Sequence, residues 1–367
     1  MLASTPEVPA PSWPLLRPWA SKVLLANIRL TCEHNDGHIN GNQLWIAMNS
    51  MITLSFEDLT RDEADALSNL LRAWNDLVPT LYFLDSCSIS RLKDELAGRR
   101  QSEKKHREHV NLLRSIDKSQ NGISCLLALM EKASDQQNRR SLEEMKEEGE
   151  RDRIAMENFF SQARVIESQE AIDQIAEAML GKHPEELGAT YYDFLAFASH
   201  LGLHQRLTPS AKLPTVEKLC TEAVRLGLKV THPVVLTIVA IIYGCSPAGY
   251  VVKFTEDPAK FKASNALGDI QLLQRSKSFF SAVALDERVD YKQSRLISDD
   301  LNLNIFAEIL NITCARTEMS EDGMSHEMSS KPDLPRLLPD IFDKDGIVIQ
   351  DKSEEFSSLM MVVFGAT

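Results

Sequence analysis

Apolar positions along the chain fall into two rhythms, and these set the expected elements. Lys22–Cys32 (KVLLANIRLTC) and Gln43–Phe56 read as strands, with the turn dipeptides Asp36-Gly37 and Asn40-Gly41 between them, the pattern of an antiparallel hairpin. Thr60-Arg61-Asp62-Glu63 is a capping box that opens a helix, and Leu67, Leu70, Leu71 and Trp74 follow at i, i+3, i+4, i+7 until Pro79. Leu81–Asp85 (LYFLD) is instead a continuous apolar run ending in a carboxylate, as expected of a parallel strand buried on both faces.

The remainder is dominated by helical spacing. Ile123–Ser134 reads as an apolar helix. Residues 135–182, rich in Glu, Lys, Arg, Gln and Met, read as a long solvated helix with i,i+4 ion pairs. Residues 185–229 continue as helices broken at Pro209 and Pro214; Val230–Cys245 is the most apolar region, and within it the run Val234–Cys245 reads as a buried core helix. Asn265–Phe280 is a helix, Arg295–Ser298 a short strand and Asp299–Asn311 another helix. Residues 317–335 read as a linker, and the tail SSLMMVVFGAT as an edge strand. Apolar strands spaced by helices predict an α/β fold with a mainly parallel sheet flanked by helices.

Composition narrows the class. With 43% hydrophobic residues the chain can bury a sizeable core. The net charge of −13 argues against polyanion binding by the global field, so nucleic-acid binding would need a local basic surface or a cation held by carboxylates. The six cysteines, Cys32, Cys87, Cys125, Cys220, Cys245 and Cys314, are scattered without a C-x-x-C pair and read as reduced thiols of a cytoplasmic protein. The proline-rich segment 1–20 lacks the pattern of a signal peptide, and the longest apolar run, Val234–Cys245, is too short to span a bilayer.

The candidate chemistry lies in a few acidic positions. Asp85 ends a buried-type strand, where open α/β sheets bind ligands, although Asp also caps helices there. Glu131 stands at the edge of the apolar face of ISCLLALMEKA, and Asp269 within the helix SNALGDIQLLQ, where Asp is an unfavourable residue. Asp299 and Asp300 follow a strand and open a helix; the dipole explains one of them, and a cation would relieve the repulsion of two.

Taken in order, LYFLDSCSIS, ISCLLALMEKA, NALGDIQLL and RLISDDLNL resemble the acid-bearing segments of PIN-domain nucleases. The resemblance covers roughly residues 79–315. It implies a PIN-like nuclease domain at 79–315 with a helical insertion at about 135–229; the pattern of the residues themselves adds an extension before it (1–78, hairpin plus helix) and a linker and tail after it (316–367). The resemblance also implies metal-dependent phosphodiester hydrolysis, with RNA favoured over DNA as substrate. Asp85, Asp269 and Asp300 would be metal ligands, Glu131 a ligand or the group orienting the attacking water, and Ser86, Ser298 and Asp299 outer supports. The oxygen-only donor set suits Mg²⁺ or Mn²⁺. Two departures stand: the family commonly has Asn where this chain has Cys87, and the interval from Glu131 to Asp269 is long. The alternatives are a catalytically weak PIN-like interaction protein whose helical insertion binds a partner, or a DNA-directed nuclease.

Other constellations carry less. Cys32, His34 and His38 lack a fourth zinc ligand at the right spacing. His106/His109 and His200/His204 have helical spacing without an adjacent acid and read as packing or surface histidines. Asp343-Lys344-Asp345-Gly346 begins like a calcium loop but reads as a turn. The basic run Arg99–Arg107 is either a phosphate-contacting loop beside Asp85 or a solvated helix face.

Overall fold

The structure, a computed structural model, describes residues 77–365 except 100–102, 182–186, 286–289 and 321–322, together with several positions between 60 and 69. The expected N-terminal hairpin and the Cys32/His34/His38 group lie outside the described residues. Arg61 and Asp62, directly after Thr60, are helical.

β1 (Thr80–Leu84) is buried at every position. Its alternate side chains enter different cores: Leu81 and Phe83 join one apolar cluster, Tyr82 and Leu84 the other. Period-two geometry thus explains why the run is continuously apolar, since both faces of the sheet are covered. The partners of β1 are β2 (Gly122–Ser124) and β4 (Gln293–Ile297), with β3 (Arg164–Val165) outside β2. All pairings in this four-stranded sheet, order β3-β2-β1-β4, are parallel, so the protein has an α/β fold with a parallel sheet flanked by helices.

One helical layer contains α1 (Ser86–Leu96), α2 (Lys104–Ser115), α3 (Leu126–Ser134), α4 (Leu142–Phe159) and α5 (Gln169–Met179), whose buried residues form the core beside Tyr82 and Leu84. α4 begins with a capping box, Ser141 to Glu144. It lies close to α5: a Cβ on Gly149 would come within 2.5 Å of Ile172 Cγ2, so glycine is required at that approach.

The opposite core is built on α6 (Gly188–Ser199), α7 (Pro209–Arg225), α8 (Pro233–Ile242), α9 (Ser246–Val252), α10 (Ala263–Leu285) and α11 (Leu301–Leu310). No single helix among the described residues is long and apolar enough to cross a membrane; the apolar pair α8 and α9 is bent by 119° and supplies core residues.

Several expectations change. Ile123 and Ser124 belong to a strand, and the helix starts only at Leu126. The acidic stretch from 135 contributes β3 to the sheet edge, so its helices do not form a wholly separate insertion. Pro209 opens α7 at its first turn, whereas Pro214 lies inside the helix without ending it. The expected linker is an antiparallel hairpin, β5 (Ile312–Ser320) with β6 (Gly323–Ser330), formed through main-chain pairing that needs no apolar pattern. After the short helix α12 (Leu334–Leu337), the tail forms helix α13 (Ser353–Phe364) instead of a strand. Phe356, Leu359 and Val363 recur at helical spacing, and that period outweighs the β-branched run. Asp343 forms the expected turn, accepting the N–H groups of Asp345 and Ile347 at 2.9 Å each.

Candidate functional site

β1 pairs with β2 on one side and β4 on the other, so the chain reverses its direction of travel across the sheet at β1. Crevices open at such switch points outside the carboxyl ends of the strands. Leu84 is in register with Ile297, and the Asp85 N–H donates to the Ile297 carbonyl at 3.2 Å. The residues after both strands, Asp85 and Ser298 to Asp300, are therefore neighbours.

Beside them lies a cleft of about 700 Å³ lined by Ser86, Cys87, Glu131, Asp269 and Asp300, among others. Asp85 is buried behind this lining, 3% exposed. Although Cys87 reaches solvent, the walls desolvate its thiol, and the charges of Asp85, Glu131, Asp269 and Asp300 add to this, pushing it up to about 12. One side chain thus senses all four acids singled out in the sequence.

Each acid is held differently. Asp85 caps α1: its Oδ1 accepts the Ser88 N–H at 2.6 Å. Burial raises its carboxyl, against hydrogen bonds from Ser298 and Ser88. Asp300 caps α11, accepting the Asn302 and Leu303 N–H groups through Oδ1 at 2.9 and 3.1 Å, which leaves Oδ2 for another partner. The Ser298 hydroxyl also accepts the Asp300 N–H at 3.1 Å, tying the two acids together. Ser86 Oγ donates to Glu131 Oε2 at 2.9 Å, and burial raises the Glu131 carboxyl. Gly268 faces that side chain: a Cβ there would meet Glu131 Cγ at 3.3 Å.

Asp269 projects from the second turn of α10. Burial first, then Glu131, Asp300 and Asp85, raise its carboxyl to about 8, against the pull of Lys253. Unfolding would release that proton near 3.9, so between these values the folded state binds more protons and stability falls as pH rises from about 4 to 8. Thermal melts in EDTA should show wild-type Tm declining across this window and a shallower decline in Asp269→Asn. Equal slopes would contradict the assigned burial and repulsion.

The other acids lining the cleft are already engaged. Asp135 accepts the N–H groups of Gln137 and Asn138. Fully buried Asp152 binds Lys93 and, at 2.6 Å, Lys132, while Glu148 pairs with Lys132 at 2.8 Å and Arg140 at 2.7 Å. Glu131, Asp269 and Asp300 make no close ion pair among the described residues; Lys253 draws on Asp269, and Lys132 and Arg275 on Glu131, only from a distance. Their oxygens fit a hard divalent cation by chemistry. They are not preassembled: among the described residues, no three His, Cys, Asp or Glu side chains form a ready ligand group.

Asp299, expected as an outer support, acts on the Asp85 carboxyl only by its charge. It does not line the cleft; its carboxylate binds Arg91 Nε at 2.7 Å and lies 3.4 Å from His106 Nδ1. That contact fastens the start of α11 to α1 and α2. His106 and His109 are buried packing residues, whereas His200 and His204 are exposed. The basic run is also displaced: Arg99 and Arg107 line a separate depression with Glu95 and Arg114.

Sequence reading missed Asp152, Glu167 and the lysines of the cleft. Glu167, just after β3, accepts from Ser124 Oγ at 2.5 Å and the Cys125 N–H at 3.1 Å, fixing the turn that launches the Glu131 helix. Nothing local distinguished these residues from a solvated charged face. Comparison with protein-family models, curated proteins and solved structures gives no match for this chain.

Proposed function

We propose that this protein is a metal-dependent nuclease with a PIN-like domain, acting on RNA as an endoribonuclease. The observation that carries this reading is the meeting of Asp85, Glu131, Asp269 and Asp300 around Cys87 at the carboxyl edge of a parallel sheet. Carboxylates that make no close ion pair in a concave site are suited to Mg²⁺ or Mn²⁺. Such an ion, when bound, supplies stabilisation for the negative charge that develops on a phosphodiester under attack.

In this reading Asp85, Asp269 and Asp300 hold the ion and Glu131 borders it. Ser86 orients Glu131, and Ser298 fixes the spacing of Asp85 and Asp300. The capping bonds keep two of the carboxylates from rotating freely, which lowers the ordering cost of binding.

Purified full-length protein should cleave labelled single-stranded RNA when Mn²⁺ or Mg²⁺ is supplied and not in EDTA. Parallel double-stranded RNA and DNA substrates would separate RNA from DNA preference. Absence of metal-dependent cleavage from every substrate, with the fold intact, would defeat the proposal. It would favour a PIN-like interaction protein.

A further inference from the structure

The cationic groups lining the cleft fall into two sets. Lys93, Lys132 and Arg140 stand against Asp152 and Glu148, which occupy their charge. Lys253, Lys260 and Lys262, on the wall formed between α9 and α10, are exposed. Lys253 and Lys262 make no ion pair among the described residues, and Lys260 has only a loose one, 3.9 Å to Asp257.

This wall is rigidly built despite its exposed lysines. Phe261 is buried and packs against Phe254 with ring centroids 4.8 Å apart. Gln137 Nε2 donates to the Phe261 carbonyl at 3.1 Å, while Gln137 Oε1 accepts the Ser264 N–H at 3.1 Å. Phe261 follows the short turn Pro258–Lys260 with φ −68 and ψ 131, and Lys260 and Lys262 on either side of its buried ring are exposed. Lys253 closes α9 in the left-handed region at φ 58, unfavourable for a residue with a Cβ, and its side chain lines the cleft.

We propose that Lys253, Lys260 and Lys262 form a phosphate-binding rail that holds the sugar–phosphate backbone of a single nucleic-acid strand beside the acidic centre. The ligand class is successive phosphodiester groups, contacted without base readout, because lysine ammonium groups recognise phosphate charge and not base edges. The rail deepens the nuclease proposal and rests on it for the identity of the polymer. It also shows how a chain of net charge −13 would retain a polyanion: through local cations on a fixed wall.

The test measures binding in EDTA, so that it is independent of cleavage. Full-length wild type is titrated into a fluorescein-labelled oligouridylate of about 12 nucleotides at several salt concentrations, read by anisotropy. The triple variant Lys253→Ala/Lys260→Ala/Lys262→Ala should bind at least about tenfold more weakly, with the salt slope shallower by about 2. Replacing the three lysines by arginine should preserve binding. Arg99→Ala/Arg107→Ala, which alters the separate basic depression, should leave it unchanged. Unaltered affinity of the triple alanine variant, an equal loss in the Arg99/Arg107 variant, or no wild-type binding would overturn the rail. Cleavage is scored separately with Mn²⁺. Lysine-dependent binding without cleavage would retain the rail and defeat the nuclease reading; cleavage by a chain whose binding ignores these lysines would do the reverse.

Discussion

Replacing Asp85 or Asp300 by asparagine is expected to abolish metal-dependent cleavage while leaving the fold standing. Both residues are N-caps, Asp85 of the helix after the first strand and Asp300 of the helix after the fourth. Asparagine caps a helix about as well as aspartate, so the Oδ1 bonds to the Ser88, Asn302 and Leu303 N–H groups can survive. What asparagine removes is the charge. For a hard cation that charge dominates binding, and the activity loss should exceed the roughly 10–100-fold typical of groups that only support a ligand. Stability should change by no more than a few tenths of a kcal/mol, or rise, because a like charge leaves a crowded acidic site. Asp300→Ala provides the contrast: it loses the cap as well and should cost about 1 kcal/mol. The measurements are cleavage of labelled RNA with Mn²⁺ and melting temperature with and without the ion. Full activity in both asparagine variants would leave these aspartates as caps only.

The largest stability effect should come from Asp152→Ala. This carboxylate is completely buried and receives both Lys93 and Lys132. Lys93 is 37% exposed and can turn to solvent, whereas the Lys132 side chain is 11% exposed and cannot readily do so. Burial by itself lowers the Lys132 ammonium, but Asp152 and Glu148 more than reverse this and raise it above its ordinary value. Without Asp152 the desolvation cost remains and much of the compensation is gone. Breaking one partner from such a pair costs about 3–5 kcal/mol, and the surviving Glu148 contact places the expectation near about 3 kcal/mol. Urea denaturation of the variant and wild type measures it. The double substitution Asp152→Leu/Lys132→Met should recover most of the loss, since an apolar pair avoids both desolvation penalties. A single-variant loss below about 1 kcal/mol would mean that solvent reaches Lys132 freely. Because Lys132 follows Glu131, the single variant should also disturb the acidic site.

The place of Asp85 was legible because it follows from a strand end. The unbroken apolar run from Leu81 to Leu84 indicates a strand covered on both faces, and a carboxylate directly after it lands at the carboxyl edge of a parallel sheet. Asp300 also follows a strand, but the resemblance, not the strand end, singled it out from Asp299. Asp299 shows where this stops. Adjacent residues in a strand-to-helix turn point in different directions, and only packing of the second helix, with His106 and Arg91 on hand, assigns Asp299 to an ion-pair network instead of the cleft.

By itself the sequence determined the α/β class, the buried first strand and the apolar helix that begins at Pro233, because these depend on periodicity and on residues a few places apart; the set of four acids came from the resemblance. The tertiary structure alone decided which acids remain without a close cation. Asp152 and Glu148 are neutralised by lysines and an arginine from other elements, while Glu131, Asp269 and Asp300 are not. It also decided that the exposed positive charge beside the site comes from Lys253, Lys260 and Lys262 and not from the denser run Arg99–Arg107. Charge pairing depends on distances of a few ångströms between segments far apart in the chain, and no local pattern encodes those distances.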